Sequence, residues 1–171
     1  MEVKSMEDQY PLSNKWNFYS HLHGDKDWSL DSYTKIATFQ KVDDVVFTLN
    51  ELTKDMFMNF MFFMMKDGIL PLYEFPENIK GGHFSFKVSS ENVIEVFKNV
   101  CYAMCGGTIL STTMIKAEKM DLYLSHINGL SISPKKGFFI LKIWLNTRSL
   151  QNASIINVPK LPTKSVLFLT K

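Results

Sequence analysis

At 171 residues and 46% apolar composition, the chain can bury the core of one domain and is too hydrophobic to be a disordered linker. A formal charge of +2 excludes broad tracking along nucleic-acid phosphates and leaves room for a few cations gathered at one site. The most apolar run, Met56 to Met65, is about half of what a membrane-spanning helix needs.

The opening M-E-V-K-S-M-E-D has no basic-then-apolar signal pattern, which places the chain in the cytosol with the nucleus also open. Residues 1–9 read as a mobile tail and 10–171 as a single domain, with no repeat or linker. Tyr10-Pro11 favours extended backbone, and the alternation from Ser13 to His23 predicts a strand with aromatics on both faces. Gly24, the aspartates and Ser29 then make a polar loop around Trp28. A large ring on a loop is one way a site supplies a stacking surface. Tyr33 to Gln40 reads as a second strand. Val42 to Leu52 carries apolar residues at 42, 45, 46, 49 and 52, a helical stripe with Asp43 and Asp44 in its first turn. Met56 to Met65 is expected to be one buried strand.

From Lys66 to His83 the chain reads K-D-G-I-L-P-L-Y-E-F-P-E-N-I-K-G-G-H. A turn at Asp67-Gly68 leads to Tyr73 and Glu74 side by side, and the loop closes on Gly81-Gly82. Two glycines allow positive φ or a close approach to a ligand. An aromatic face beside a carboxylate suits a planar, cationic, hydrogen-bonding ligand such as an alkylated purine. His83 to Val88 alternates as a strand. A helix capped by Ser89 or Ser90 then runs to about Cys105 and stops at Gly106-Gly107. Cys101 and Cys105, the only cysteines, share its face and read as core thiols in a reducing compartment.

Thr108 to Ile115 and Met120 to Ile127 are expected to form a hairpin turning at Lys116–Lys119. Ser133 to Gly137 breaks the chain, Gly137 to Asn146 is a strong strand, and Val166 to Leu169 is the last one. Two helices and about seven strands with hairpin-length connections predict an α+β fold, an antiparallel sheet with helices on one face. No phosphate loop, dinucleotide fingerprint, zinc-protease helix or nucleophile elbow is present, so binding outranks catalysis and no cofactor is implied.

Taken in order, these features resemble the mRNA cap-binding translation initiation factor 4E family. Y-P-L-S-N-K-W (10–16) is similar to its His-Pro-Leu-x-x-x-Trp opening, and D-K-D-W (25–28) to its loop tryptophan. K-D-G-I-L-P-L-Y-E (66–74) with K-G-G-H-F (80–84) is similar to its Lys-Asp-Gly-Ile-x-Pro-x-Trp-Glu and Arg-Gly-Gly-Arg-Trp stretch. The resemblance implies a curved antiparallel sheet of about eight strands with two or three helices on its convex face. It implies that the 5' cap of mRNA, 7-methylguanosine triphosphate, stacks its base between Trp28 and Tyr73, with Glu74 on the base edge and Tyr123 near the methyl group. Lys119, Lys116 and His83 are the implied phosphate contacts. A family arginine becomes His83 here, another falls at Met114, and a tryptophan of the first helix becomes Val46. The implied partner is a scaffold or repressor protein whose Tyr-x-x-x-x-Leu-apolar helix docks on Tyr10, Pro11, Leu12, Val42, Val46 and Tyr102. The chain itself is expected to act as a monomer, away from membranes.

Overall fold

The computed structural model describes residues 10–163 and 166–170; the expected tail, 1–9, lies outside the described residues. Its centre is one seven-stranded sheet in the order β2-β1-β3-β5-β6-β4-β7, antiparallel at every pairing. The strands are β1 (Pro11–Leu22), β2 (Tyr33–Lys41), β3 (Phe60–Lys66), β4 (Gly82–Ser89), β5 (Ile127–Pro134), β6 (Phe138–Leu145) and β7 (Val166–Thr170). The α+β class and open antiparallel sheet are as expected, with seven strands among the described residues rather than eight.

Among the described residues five α-helices accompany the sheet, rather than the expected two or three: α1 (Val42–Asn50), α2 (Lys54–Asn59), α3 (Pro76–Ile79), α4 (Val93–Cys105) and α5 (Met120–Ser125). In α1 the Asp44 carboxylate accepts the backbone N–H groups of Gln40 and Lys41 at 2.9 and 3.1 Å, satisfying donors the helix start leaves open. Helix α4 buries Val93, Val96, Phe97, Val100, Cys101 and Met104 on one stripe. Its N-cap is Asn92 rather than Ser89 or Ser90.

Period-two alternation divides the aromatics between two cores. Phe18 and Phe62 face the helices, with their rings stacked 5.5 Å apart and Phe57 and Phe97 packed against them. On the opposite face Tyr19, Phe63, Met65 and Trp144 form a smaller buried cluster. Both sides of β1 are therefore covered, which is why its sequence carries aromatics in both registers.

Two expected elements differ. Met56 to Met65 is not one strand: residues 54–59 form α2, started by the Thr53 hydroxyl accepting the Met56 N–H, and only 60–66 are extended. The expected hairpin over 108–127 is absent. Leu110 makes a single bridge with Ile156, residues 117–119 form a 3-10 turn, and 120–125 are helical as α5. Met120, Tyr123 and Leu124 recur at helical spacing and pack onto the core, a pattern short enough to read equally as a strand. β6 pairs with β5 through a turn at Gly137, φ 83°, and with β4 on its other side.

The Gly81-Gly82 step has a packing role. A Cβ on Gly81 would fall 1.8 Å from the Leu145 carbonyl oxygen, so close approach to the end of β6 requires glycine there.

Candidate functional site

On the sheet face away from the main core lies a cavity of about 440 Å³, within the range of small-molecule sites. Trp28, Tyr73 and Glu74 all line it, although they come from two loops 45 residues apart in sequence. Trp28 is 48% exposed and Tyr73 36%, high values for such large rings.

Each ring is backed by another. The Trp28 indole lies parallel to His21 of β1, with centroids 4.1 Å apart and planes at 2°. The Tyr73 ring lies parallel to Trp144 of β6 at 4.6 Å and 4°. Trp144 is itself fixed, donating its indole N–H to Ser131 Oγ at 3.0 Å and meeting Phe63 edge-on. The Tyr73-Glu74 turn is held from below by buried Asn78, which donates to the carbonyls of Leu70 and Leu72 at 2.9 and 2.7 Å. Asn128 of β5 donates in turn to Asn78 Oδ1 and to the Glu77 carbonyl. These amides tie the loop to the sheet where no regular ladder reaches it.

Charge around the cavity is mixed: Asp25 and Glu74 against Lys135 and Lys142, with His23 beside them. Glu74 enters no hydrogen bond or ion pair among the described residues, so both of its oxygens can accept. Lys142 Nζ donates to Tyr73 Oη at 2.9 Å and lies 5.4 Å from that ring's centroid, a cation–π distance. Burial pushes the Tyr33 phenol up to about 12, assisted by the negative charge of Glu74 and then by Tyr73.

The other expected contacts lie elsewhere. Tyr123 is half-buried on α5 against the helix-side core; Lys116, Lys119 and Met114 are exposed in the segment before it, and none of them lines the cavity. His83 is buried on β4, its ring tilted toward Tyr73 at 6.2 Å, and also stays out of the lining. The cations at the cavity are Lys135 and Lys142, and Tyr33, Phe63 and Trp144 add rings to its lining; sequence reasoning named none of these as site residues. For Lys142 and Trp144 the signal was present: in F-I-L-K-I-W a lysine and a tryptophan two apart must share a strand face, and a lysine amid apolar residues marks that face as open.

A sequence model described as Eukaryotic initiation factor 4E matches residues 11–167. The chain belongs to the eukaryotic initiation factor 4E family. No curated protein sequence matches it. Solved structures of similar fold include Schistosome eIF4E complexed with m7GpppG and 4E-BP, 22% identical with a TM-score of 0.69 over 82% of this chain and 74% of that one. C. elegans eIF4E-3 with the 4E-binding protein Mextli and cap analog is 21% identical, with a TM-score of 0.65 over 81% and 75%. Ascaris suum eIF4E-3 with m7G cap is 18% identical, with a TM-score of 0.64 over 82% and 75%.

On the opposite face of this initiation factor 4E family member, Leu12, Val42, Val46 and Tyr102 line one apolar groove of about 310 Å³ between β1, α1 and the end of α4. Tyr10, 68% exposed, accepts the Val42 N–H through its carbonyl at 3.0 Å and so sits beside the groove with Pro11, outside its lining. Among the described residues no helix is long and apolar enough to cross a membrane.

Proposed function

We propose that this chain binds the 7-methylguanosine cap of mRNA, in a recognition role rather than a catalytic one, and acts in translation initiation in the cytoplasm. The observation that carries the reading is the gathering of Trp28, Tyr73 and an uncommitted Glu74 around one cavity. N7-methylation makes guanine a cation. Held between two aromatic faces and shielded from water, that cation gains about 1–2 kcal/mol or more. Glu74 accepts the N1 and N2 hydrogens for roughly 1.5–3 kcal/mol. Lys142 and Lys135, which line the same cavity, reach the phosphates, the part the resemblance gives to Lys119, Lys116 and His83.

Removing the methyl charge costs about 2–4 kcal/mol, on the order of 30- to 1000-fold in affinity. Tryptophan fluorescence titration with 7-methyl-GTP and with GTP tests this. A preference of that size is expected, and equal affinities would reject the reading.

The finer role is delivery of capped mRNA to a scaffold protein whose Tyr-x-x-x-x-Leu-apolar helix lies in the groove of Leu12, Val42, Val46 and Tyr102. Val46, where the resemblance calls for tryptophan, favours a second reading: a repressor or special-purpose cap-binder with its own partner, since tryptophan anchors often dominate interfaces. Binding of a Tyr-x-x-x-x-Leu peptide, measured by calorimetry, separates the two. Tight binding supports delivery and none supports the dedicated partner.

A further inference from the structure

A second cavity, of about 290 Å³, opens on the helix side of the sheet, between the start of β1, the ends of β3 and α4, and α5. Among the described residues it shares no lining side chain with the cap cavity, and neither the cap nor the partner helix gives it a task. Strand alternation puts Lys66 on the same face of β3 as Phe62 and Met64, the face turned to the helices. A lysine there stands where an apolar side chain would continue the core, and it is half-buried. Its Nζ donates to the Leu124 carbonyl at 3.1 Å and lies 5.9 Å from the centre of the Trp16 ring, so both contacts are with neutral groups. An ammonium has three hydrogens to give, and one is spent. Among the described residues Lys66 forms no ion pair. Burial pushes its pKa down, with no neighbouring charge acting against it. Beside it the buried Trp16 Nε1–H has no acceptor. Met104, Ile109, Leu124 and Ile127 give the cavity an apolar wall, and its one carboxylate, Asp121, is exposed on the first turn of α5.

We propose that this cavity is a second binding site, for a small organic monocarboxylate with an apolar body: the carboxylate on Lys66 and the Trp16 N–H, the body against Met104, Ile109 and Ile127. The inference is independent of the cap reading. A partly buried ammonium with only neutral partners lacks one negative charge, and a carboxylate supplies one. Its second oxygen can accept from the indole. A neutral apolar guest would leave both donors unsatisfied. A phosphate would bring a second negative charge to a single cation, with Asp121 also in the lining. The volume lies at the small end of ligand pockets and suits a short chain or a single ring. The Leu124 contact taken alone would make Lys66 a staple for α5, but a staple accounts neither for the enclosed space nor for the waiting N–H of Trp16.

The probe is octanoate, titrated into the isotope-labelled full chain at neutral pH and followed by NMR through the indole N–H signals of Trp16, Trp28 and Trp144. The Trp16 signal, identified by its loss in Trp16→Phe, should move downfield as it gains an acceptor, with a Kd of about 1 mM or tighter. The signals of Trp28 and Trp144 should stay in place. Octanol, the same chain without the charge, should act at least about tenfold more weakly, the worth of one charge-assisted hydrogen bond. Lys66→Met keeps an apolar stem, drops the cation and should also lose about tenfold or more, whereas Lys66→Arg should stay within about threefold. Unshifted Trp28 and Trp144 signals in each variant show that it has folded. Saturating 7-methyl-GTP should leave the octanoate titration unchanged. A Trp16 signal that does not respond, an equal response to octanol, octanoate binding kept by folded Lys66→Met, or displacement by 7-methyl-GTP would overturn the proposal. A matching shift with inorganic phosphate would overturn the ligand class. Should Lys66→Met not fold, the contrast of octanoate with octanol in the unaltered chain decides.

Discussion

Replacing Asn78 by alanine tests the joint that holds the Tyr73-Glu74 turn. The substitution removes three hydrogen bonds: two donated to the carbonyls of Leu70 and Leu72, and one accepted from Asn128. Leu70 and Leu72 are only half-buried, so their carbonyls can recruit water, and each lost bond there costs about 0.5–1.5 kcal/mol. Asn128 is 1% exposed, and its orphaned N–H carries a desolvation penalty of about 1–3 kcal/mol. Together Asn78→Ala should destabilise the fold by about 2–6 kcal/mol, read by urea denaturation as a lower midpoint with an unchanged slope. The freed turn should also weaken 7-methyl-GTP binding beyond any loss of folded protein. A variant within about 0.5 kcal/mol of the unaltered chain, the range of an ordinary surface change, would show that the amides do not hold this loop.

Glu74→Gln keeps the shape and removes the charge, and should lower 7-methyl-GTP affinity by about 1.5–3 kcal/mol in a fluorescence titration while leaving the denaturation midpoint in place. Lys142→Met should weaken 7-methyl-GTP by about 1 kcal/mol, leave the 7-methylguanosine nucleoside nearly unchanged, and flatten the salt dependence of binding. The pKa of Tyr33 is raised to about 12 in the fold, against about 10 in the unfolded chain. Between those values the folded state holds a proton the unfolded state has lost, so this contribution is full below pH 10 and disappears as pH rises toward 12. Urea denaturation of Tyr33→Phe should show a smaller loss of stability across that window.

Much of this was legible in the sequence because it rests on local rules. Alternation located β1, β2, β4 and β6; the stripe of Val42, Val45, Val46 and Leu49 located α1; and the Lys66–His83 stretch, with Trp28, carried the family resemblance. Illegible were the places where tertiary contact outweighs pattern. Met56 and Met58 lie on α2 although the run they open continues as a strand, because methionine suits either element and Thr53 decides between them. Without β5, the pairing of β5 with β6 could not be seen, nor the cavity-lining lysines Lys135 and Lys142 that this hairpin carries. The Asn78–Asn128 amide contact and the His21–Trp28 stack join residues 50 and 7 positions apart in sequence, and no composition rule announces either.

The two stacked pairs bear on kinetics as well as on affinity. A side chain clamped against a neighbour gives up its rotamer freedom when the protein folds, so an arriving ligand avoids about 0.5–1.5 kcal/mol of ordering for each such ring. Trp28 on His21 and Tyr73 on Trp144 are bookends set in advance. Capture by such plates needs only that the guest be flat and the right way round, so encounters convert to complexes with little searching by the host.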